Sequence, residues 1–453
     1  MFKIKIPNNN INERKYIIDI LLGEFLGLDY LVTVDSDNDS WDIVLENGNN
    51  LIIEDHFFNK FSKELEYLKE ENIPKKVEFS KNDFIVENDI PIIYGIDKVS
   101  VNSDSRQANT VAICCGIDIF ASSFFMLTRW EEYVNKTRDK HNRFPAIESL
   151  AYKNNFLNRP VVNEYVEMLW NMLNFLGCKQ ERKKREFKLV LTHDVDEIKL
   201  WKSWKQVFRV MIGDVLKRKD LFLAFERFAE YFLIKRGKIK DPFDMFEWLM
   251  DKSEAVGVKS RFYFMSGGFT EYDNRYKIDS IEVLELIDKI KQRGHIIGIH
   301  PSYNAYNNFE QFQKEKVLLE QTVREKIVEG REHYLRFEVP TTWQIWEDSG
   351  MRVDSTCGYA DKEGFRCGTG DEFSVFNILT REKLKLKERP LIFMDDNRMS
   401  GERIYNNKLL IQNIKRLQKQ SMKFQMKFTV LFHQSIFALK DINYKDIYEK
   451  VIN

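Results

Sequence analysis

The stretch Leu189-Val190-Leu191-Thr192-His193-Asp194-Val195-Asp196 decides the fold of this chain. Its apolar first half is typical of a buried strand, and the strand ends in two aspartates with one residue between them. Because alternate side chains of an extended strand share a face, Asp194 and Asp196 are expected to point the same way. Two neighbouring carboxylates repel each other unless a cation or a shared proton compensates. The pair therefore predicts either a metal site, with one Asp as ligand and the other as base, or a solvated acidic loop.

The composition excludes several classes of protein. Seventy Lys and Arg balance seventy Asp and Glu in 453 residues, so no global field recruits nucleic acid or a membrane. The start MFKIKIPNNN has the pattern of neither a signal peptide nor a transit peptide, and no apolar run reaches about 18 residues. The five cysteines lack metal-site spacing and indicate buried thiols in a reducing compartment. We expect a cytoplasmic protein of two or three domains without a transmembrane segment.

Two regions precede the stretch quoted above. Residues 1–125 predict a small α+β domain with no catalytic constellation, in which short β-like runs alternate with Asn- and Asp-rich turns. Residues 126–186 predict a helical connector that ends in a charged linker, Lys179 to Glu186. The predicted elements of the first region are a helix at Glu13–Phe25 and strands at Tyr30–Val34, Trp41–Val44, Leu51–Ile53, Ile90–Tyr94 and Val111–Ile113.

In residues 187–453, strands and helices alternate, which predicts a parallel α/β architecture, open or closed into a barrel. In either form, a site assembles from loops at the carboxyl ends of the strands. The predicted strands are Phe187–Thr192, Arg261–Met265, His295–Ile299, Tyr334–Phe337, Met351–Ser355, Leu391–Met394 and Phe428–Phe432. The predicted helices are Asp244–Ala255, Ser280–Gln292, Phe309–Val328, Thr342–Asp348 and Glu402–Met422.

Five of these seven strands deliver an ionisable residue at the same end. His300 closes the third strand, and after the turn at Pro301 the side chain of Asn304 can return beside it. The sixth strand ends in Asp395-Asp396 and the seventh in His433. Charged residues are costly at a barrel mouth unless they are paired or used. The coincidence across strands therefore favours a metal or acid–base site over separate loop ion pairs.

Four motifs in order resemble those of the polysaccharide deacetylase family, which are metal-dependent carbohydrate esterases. They are Thr-His-Asp-Val-Asp at 192–196, Gly-His-x-x-Gly-x-His-Pro-Ser at 294–302, Arg336 with Pro340, and Leu-x-His ending at His433. The resemblance covers residues 187–453 and implies a distorted seven-stranded (β/α) barrel, preceded here by the small α+β domain. The upstream segment 124–133 is similar to an N-terminal region found in one bacterial branch of the family.

The resemblance implies a metal site with Asp196 and His300 as ligands. Asn304 stands where the family has a second histidine, and its carbonyl would be the third ligand. The expected cofactor is a divalent metal, with zinc first and nickel, cobalt or manganese as alternatives.

The resemblance also implies acid–base roles. Asp194 would be the general base, Arg336 would keep it ionised, and His433 would protonate the leaving amine. Asp354 is the candidate that orients His433.

The function implied is removal of N-acetyl groups from a sugar or polysaccharide in bacterial surface-glycan metabolism. Tyr303, Trp343 and Tyr359 suit stacking on a sugar ring, and core packing is equally open for each. Two alternatives are a catalytically lapsed barrel that binds glycan and a metal amidohydrolase that acts on a non-sugar amide. The sequence names no partner protein.

The segment 199–240 is a basic helical insert between the first two strands of the barrel. It holds twelve Lys or Arg against four Asp or Glu, with interleaved aromatic residues. One interpretation is a helix pair that makes peripheral contact with anionic lipid or glycan beside the site. The other is that the aromatics pack on the rest of the protein and the lysines form a solvated face.

Overall fold

The protein has a mixed α/β fold with two large sheets. The computed structural model describes residues 1–103, 110–273, 276–395, 407–439 and 443–453. Asp396 and the predicted helical residues 402–406 lie outside these ranges. No helix in the described ranges is long and apolar enough to cross a bilayer.

The first sheet has the strand order β2-β1-β3-β4-β8-β7. Strands β1 and β2 are parallel, as are β4 and β8, whereas the other neighbours are antiparallel. A separate antiparallel pair is formed by β5 and β6. The bounds are β1 Phe2–Ile6, β2 Tyr30–Val34, β3 Ser40–Val44, β4 Asn50–Glu54, β5 Glu78–Ser80, β6 Ile90–Ile92, β7 Gly95–Ser103 and β8 Val111–Ile117.

Five helices accompany this part of the chain. The first continues in wider turns through Leu26, so the helix predicted at Glu13–Phe25 is present in a distorted form. Asp118 caps the second helix by accepting a hydrogen bond from the backbone N–H of Ala121, at 3.0 Å. The bounds are α1 Ile11–Ile18, α2 Ile119–Thr128, α3 Trp130–Val134, α4 Leu150–Lys153 and α5 Val161–Phe175.

The second sheet has the order β14-β15-β13-β12-β11-β10-β9-β17-β16. All neighbouring strands are parallel except β14 and β15, which form an antiparallel pair. The bounds are β9 Lys188–Val195, β10 Arg261–Phe264, β11 Ile296–Ile299, β12 Glu329–Gly330, β13 Val353–Asp354, β14 Phe373–Asn377, β15 Glu382–Glu388, β16 Phe393–Met394 and β17 Lys427–Leu431.

Eight helices follow β9 in the described ranges, and most agree with the pattern read from the sequence. Their bounds are α6 Trp204–Gly213, α7 Leu221–Lys235, α8 Phe246–Ala255, α9 Ile281–Gln292, α10 Phe309–Val323, α11 Thr341–Asp348, α12 Asn407–Lys423 and α13 Tyr444–Ile452.

The fourth predicted strand, Tyr334–Phe337, is wrong. The strand at this place is the two-residue β12, and Tyr334 and Leu335 both have positive φ, 60° and 53°. Two successive residues in the left-handed region cannot continue an extended strand. This shift carries Arg331 and His333 past the strand end, which matters for the site.

The second sheet also differs from a closed seven-stranded barrel. The described residues give it nine strands, and its edge strands β14 and β16 are not hydrogen-bonded to each other. The extra hairpin, β14 and β15, was absent from the sequence prediction. Residues 382–388 alternate between exposed and buried positions, so the strand carries too many charged residues to be recognised as a buried parallel strand.

The two sheets share one hydrophobic core, and polar contacts join them at the β14–β15 hairpin. The hydroxyl of Tyr16 on α1 donates to the backbone carbonyl of Ser374, at 2.9 Å. The guanidinium of Arg381 contacts the buried carboxylate of Glu13 at 2.7 Å. The division into regions 1–125, 126–186 and 187–453 stays a prediction.

Candidate active site

Both aspartates of the opening stretch approach the ring of His300. Oδ2 of Asp194 lies 3.8 Å from Nδ1 of His300, and Oδ1 of Asp196 lies 3.3 Å from its Nε2. Asp194 is 2% exposed, whereas the side chain of Asp196 is about one third exposed, at 32%. The buried carboxylate therefore needs a charged partner from the protein.

Arg331 is the charged partner of Asp194. Its Nη1 donates to Oδ1 of Asp194 and to the hydroxyl of Thr192, both at 2.9 Å. Its Nε donates to the backbone carbonyl of Ser355 at 2.8 Å, and its Nη2 donates to the hydroxyl of the same serine at 3.1 Å. These contacts hold the fully buried guanidinium between β9 and β13, so that it keeps Asp194 in a fixed position.

A carboxylate and two imidazoles converge at the ends of three strands. Ligand atoms of Asp196, His300 and His333 all lie within 4.8 Å of one another. Nδ1 of His333 lies 2.9 Å from Nε2 of His300 and 3.7 Å from Oδ1 of Asp196. Strands β11 and β12 run side by side because Gly330 has no side chain: a Cβ there would collide with the backbone carbonyl of Ile299. The close pairing brings His333 to His300.

Backbone carbonyls determine which nitrogen of each histidine faces the cluster. Nδ1 of His300 donates to the carbonyl of Arg331 at 2.7 Å, and Nε2 of His333 donates to that of Tyr272 at 2.9 Å. The remaining nitrogens, Nε2 of His300 and Nδ1 of His333, both point at the carboxylate of Asp196. Such second contacts orient metal-binding histidines and select their tautomer.

The charges of the cluster shift its pKa values. Burial lowers the pKa of His333 to about 4, which leaves that imidazole neutral. Burial also opposes the charged form of His300, but the carboxylates of Asp194 and Asp196 outweigh it and raise the pKa of His300. Burial would raise the pKa of Asp196, yet the nearby imidazoles of His300, His333 and His433 hold it below its ordinary value.

These residues fit a divalent metal. One carboxylate oxygen and two imidazole nitrogens form the donor set of many catalytic zinc sites, which leave a further position for water or substrate. Oδ1 of Asp196 is buried and has no well-formed hydrogen bond, so a ligand-binding oxygen is available at the centre of the cluster. A cation would also remove the repulsion between two neighbouring carboxylates.

A second pair, His433 and Asp395, lies beside the cluster. Nδ1 of His433 donates to Oδ1 of the fully buried Asp395 at 2.8 Å, and the backbone N–H of His433 donates to Oδ2 at 2.7 Å. Nε2 of His433 therefore faces the cluster, 3.8 Å from Oδ2 of Asp196. Burial lowers the pKa of His433, but Asp395 and then the other carboxylates outweigh it and raise that pKa to about 10. The imidazolium is a proton donor held in one orientation.

One cleft of about 460 Å³ is lined by the cluster and by His433. The connector contributes to its rim through Lys140, His141 and Arg143, and the two residues with positive φ, Tyr334 and Leu335, line it as well. Strained backbone of this kind is concentrated at functional sites. The rest of the lining includes Asp194, Asp196, Tyr272, His300, His333 and His433.

Two residues expected in the site lie elsewhere in the structure. Asn304 is exposed, and its amide oxygen accepts a hydrogen bond from Nη1 of Arg336 at 3.1 Å, so it is not beside the carboxylate of Asp196. Arg336 contacts no atom of Asp194. Its Nε donates to the carbonyl of His141 at 3.0 Å, and its guanidinium stacks on the rings of Tyr303 and Tyr306. Arg336 therefore joins the connector to the loop after β11.

The expected sugar-stacking residues are also placed differently. Trp343 is fully buried and its indole N–H donates to Glu388 at 3.0 Å. Tyr359 is 3% exposed and its hydroxyl accepts from Arg129 at 3.2 Å. Neither can stack on a substrate in this conformation, because protein atoms cover both faces of each ring. Tyr303 is half-buried next to the cleft, with its hydroxyl 3.0 Å from Nδ1 of His141.

Asp354 does not orient His433. It is fully buried at the end of β13, where it accepts a hydrogen bond from the backbone N–H of Thr356 at 3.0 Å. Burial raises the pKa of Asp354 to about 7. Asp395, on the strand next to that of His433, has the role expected of Asp354.

Sequence reasoning did not assign roles to Arg331, His333 and Asp395. The signal for the first two was the polar run Arg331-Glu332-His333, two residues after the apolar Ile327-Val328, a pattern typical of a strand end. The predicted strand begins five residues too late, which hid that signal.

Comparison with known proteins gave limited matches. Residues 2–177 match the model of a family of unknown function, DUF7033. No curated protein matches. Among solved structures, the chain is similar to one from Mycobacterium smegmatis that is described as a polysaccharide deacetylase. The two share 13% identity with a TM-score of 0.37, over 60% of this chain and 84% of that one.

Two further structures give similar values. One from Pseudomonas aeruginosa PAO1, also described as a polysaccharide deacetylase, has 13% identity and a TM-score of 0.37, over 59% of this chain and 84% of that one. An allantoinase has 11% identity and the same TM-score, over 59% and 83%. At these values, the case for a function rests on the geometry of the site.

Proposed function

We propose that the protein is a metal-dependent hydrolase that removes N-acetyl groups from a sugar or polysaccharide. The observation that carries the proposal is that one cleft is lined by three metal-ligand candidates, by a buried carboxylate and by a histidine that a buried aspartate orients. The motif resemblance at 192–196 and 294–302 supports an acetylated glycan as the substrate.

Asp196, His300 and His333 would hold the metal. A divalent cation there supplies Lewis acidity, which polarises a carbonyl and lowers the pKa of a water molecule. Zinc is the first expectation because imidazole and carboxylate ligands suit it, and nickel, cobalt and manganese are alternatives.

Each remaining residue has one task in amide hydrolysis. Asp194 accepts a proton from the attacking water, and the guanidinium of Arg331 pairs with that carboxylate and holds it in place. His433 donates a proton to the departing nitrogen, with Asp395 holding its ring. Tyr272 and Tyr334 line the cleft and offer ring faces to a sugar.

Glycan binding without hydrolysis is the second candidate, and the His433–Asp395 pair disfavours it. A binding module needs no proton donor that a buried carboxylate orients at a candidate metal ligand. Metal analysis of the purified protein, together with acetate release from a panel of chitin oligomers, distinguishes the two candidates.

Replacing Asp194 by asparagine is expected to lower the rate of acetate release by about 10²–10⁴-fold, since the base is lost. Metal content should stay at the wild-type level, because Asp194 is not one of the three ligand candidates. The measurement is acetate release by a coupled assay, with metal content by mass spectrometry. Unchanged acetate release in this variant would refute the assignment of the base.

Replacing Asp395 by asparagine is expected to lower kcat by about 10²-fold or more, because an amide no longer stabilises the His433 imidazolium or fixes its ring. KM should change little. Asp354→Asn is the matched control, a buried aspartate that bonds Thr356 and not His433, and its kcat should stay within about threefold. If Asp354→Asn lowered kcat by this amount and Asp395→Asn did not, Asp354 would be the residue that orients His433.

A further inference from the structure

The segment 199–240 folds into a helical hairpin that stands beside the site. Helices α6 and α7 pack against each other through a wide turn at Asp214–Arg218. Val207 and Ala224 are buried between them, and the indole N–H of Trp201 donates to Glu230 at 3.0 Å. We refer to residues 199–240 as the hairpin.

The outer face of the hairpin is apolar and open to solvent. On α6, Trp204, Phe208 and Ile212 follow at four-residue spacing and are 61%, 56% and 44% exposed. On α7, Leu221 and Phe225 have the same four-residue spacing and are 72% and 68% exposed. The interpretation that the aromatics pack on the rest of the protein therefore does not hold for these exposed residues. A group of exposed apolar side chains of this size marks an interaction surface.

The charge of the hairpin identifies the partner. Twelve Lys or Arg against four Asp or Glu give a net charge of +8, in a chain whose total is zero. Two of the acidic residues are used inside the hairpin: buried Asp214 pairs with Arg227 at 2.8 Å, and Asp220 caps α7. Two copies of this face would repel each other, whereas an anionic surface is attracted to it.

Basic residues flank the apolar face without partners. In the described ranges, Lys205, Arg209 and Lys219 are exposed and form no ion pair. Lys219 stands at the tip, between Leu216 and Leu221, which are 71% and 72% exposed. Aromatic and aliphatic side chains with adjacent Lys and Arg are the pattern of a helix that lies in the interface of an anionic bilayer.

The hairpin leads directly to the candidate active site. A groove of about 1460 Å³ runs along α7, where it is lined by Phe222, Phe225 and Leu233, to Asp196 and His433. The apolar wall of the groove is continuous with the exposed face. A bilayer seated on the hairpin would therefore lie next to the mouth of the site.

We propose that the hairpin docks the protein on the surface of an anionic lipid bilayer. Docking brings the mouth of the cleft to the headgroup region, so that a glycan carried on lipid is within reach. The docking itself needs no catalysis and does not depend on the proposed function.

Sedimentation of the protein with lipid vesicles tests this proposal. We expect binding to vesicles of equal parts phosphatidylglycerol and phosphatidylcholine, weak binding to phosphatidylcholine alone, and release as salt rises from about 0.1 M to about 0.5 M. The double variant Leu216→Glu/Leu221→Glu should bind the anionic vesicles at least about tenfold more weakly. Both residues are exposed and lie outside the groove lining, so folding should be retained.

Phe175→Glu is the matched control, a 58% exposed aromatic on α5 outside the hairpin, and it should bind as the wild type does. Thermal unfolding followed by circular dichroism verifies that each variant is folded. The proposal is overturned if the wild type does not bind anionic vesicles, or if the tip variant and the control bind equally. A dimer that the tip variant dissociates, without vesicle binding, would assign the face to a second copy of this chain. Asp194→Asn should bind vesicles normally, which separates failure of docking from failure of the proposed function.

Discussion

Replacing His333 by alanine is expected to remove the metal from the site and to abolish acetate release. The imidazole is one of only two nitrogen ligands in the candidate set, and its Nδ1 lies 3.7 Å from Oδ1 of Asp196. A site with one carboxylate and one imidazole is too poor in ligands to retain a divalent ion at low concentration, so we expect at least about 10²-fold weaker binding. Metal content after dialysis, measured by mass spectrometry, is the direct test.

Asn304→Ala is the control that distinguishes the metal ligands found in the structure from those implied by the sequence motif. Asn304 is exposed and its amide oxygen is already bonded to Arg336, so its loss should leave metal content unchanged. If Asn304→Ala lost the metal and His333→Ala kept it, the ligand set drawn from the structure would be wrong.

Replacing Arg331 by methionine is expected to destabilise the protein by about 3–5 kcal/mol. The substitution leaves the carboxylate of Asp194 buried without a charged partner, and breaking a buried ion pair on one side costs about this much. Acetate release should also fall by at least about 10²-fold, since the base is no longer held in position. Chemical denaturation measures the free energy of unfolding.

A double-mutant cycle measures the interaction energy between Arg331 and Asp194. In the Asp194→Asn background, Arg331→Met should lower the free energy of unfolding by less than it does in the wild type, because no carboxylate is then left buried without a partner. Arg336→Met in the same two backgrounds should be additive, since Arg336 bonds backbone carbonyls and contacts no atom of Asp194. Equal costs of Arg331→Met in both backgrounds would show that Arg331 does not serve Asp194.

The local pattern of apolar and polar residues was sufficient to predict most strands of the second sheet. Strands β9, β10, β11 and β17 were predicted to within three residues at each end, because each is an apolar run bounded by polar residues. The two-residue strand β12 was not predicted, since Glu329–Gly330 carries no apolar alternation and the residues that follow turn at Tyr334 and Leu335. Such a strand exists because the strands on either side pair with it.

The site was predictable in part for the same reason. Asp194, Asp196, His300 and His433 each end a strand that the pattern located, and parallel strands place their carboxyl ends together. The partners of these residues were expected from the family resemblance. The structure supplies them from other strand ends instead: Arg331 for Arg336, His333 for Asn304 and Asp395 for Asp354.

The sequence by itself determined which strand ends carry carboxylates and imidazoles, since a buried strand and its polar end are local features of the chain. Only the tertiary structure decided which of these groups face one another. Neighbouring parallel strands lie about 5 Å apart, close enough for side chains far apart in the sequence to share a ligand. The opening pair illustrates this division: Asp194 and Asp196 are two positions apart in sequence, yet each is held by a residue more than one hundred positions away.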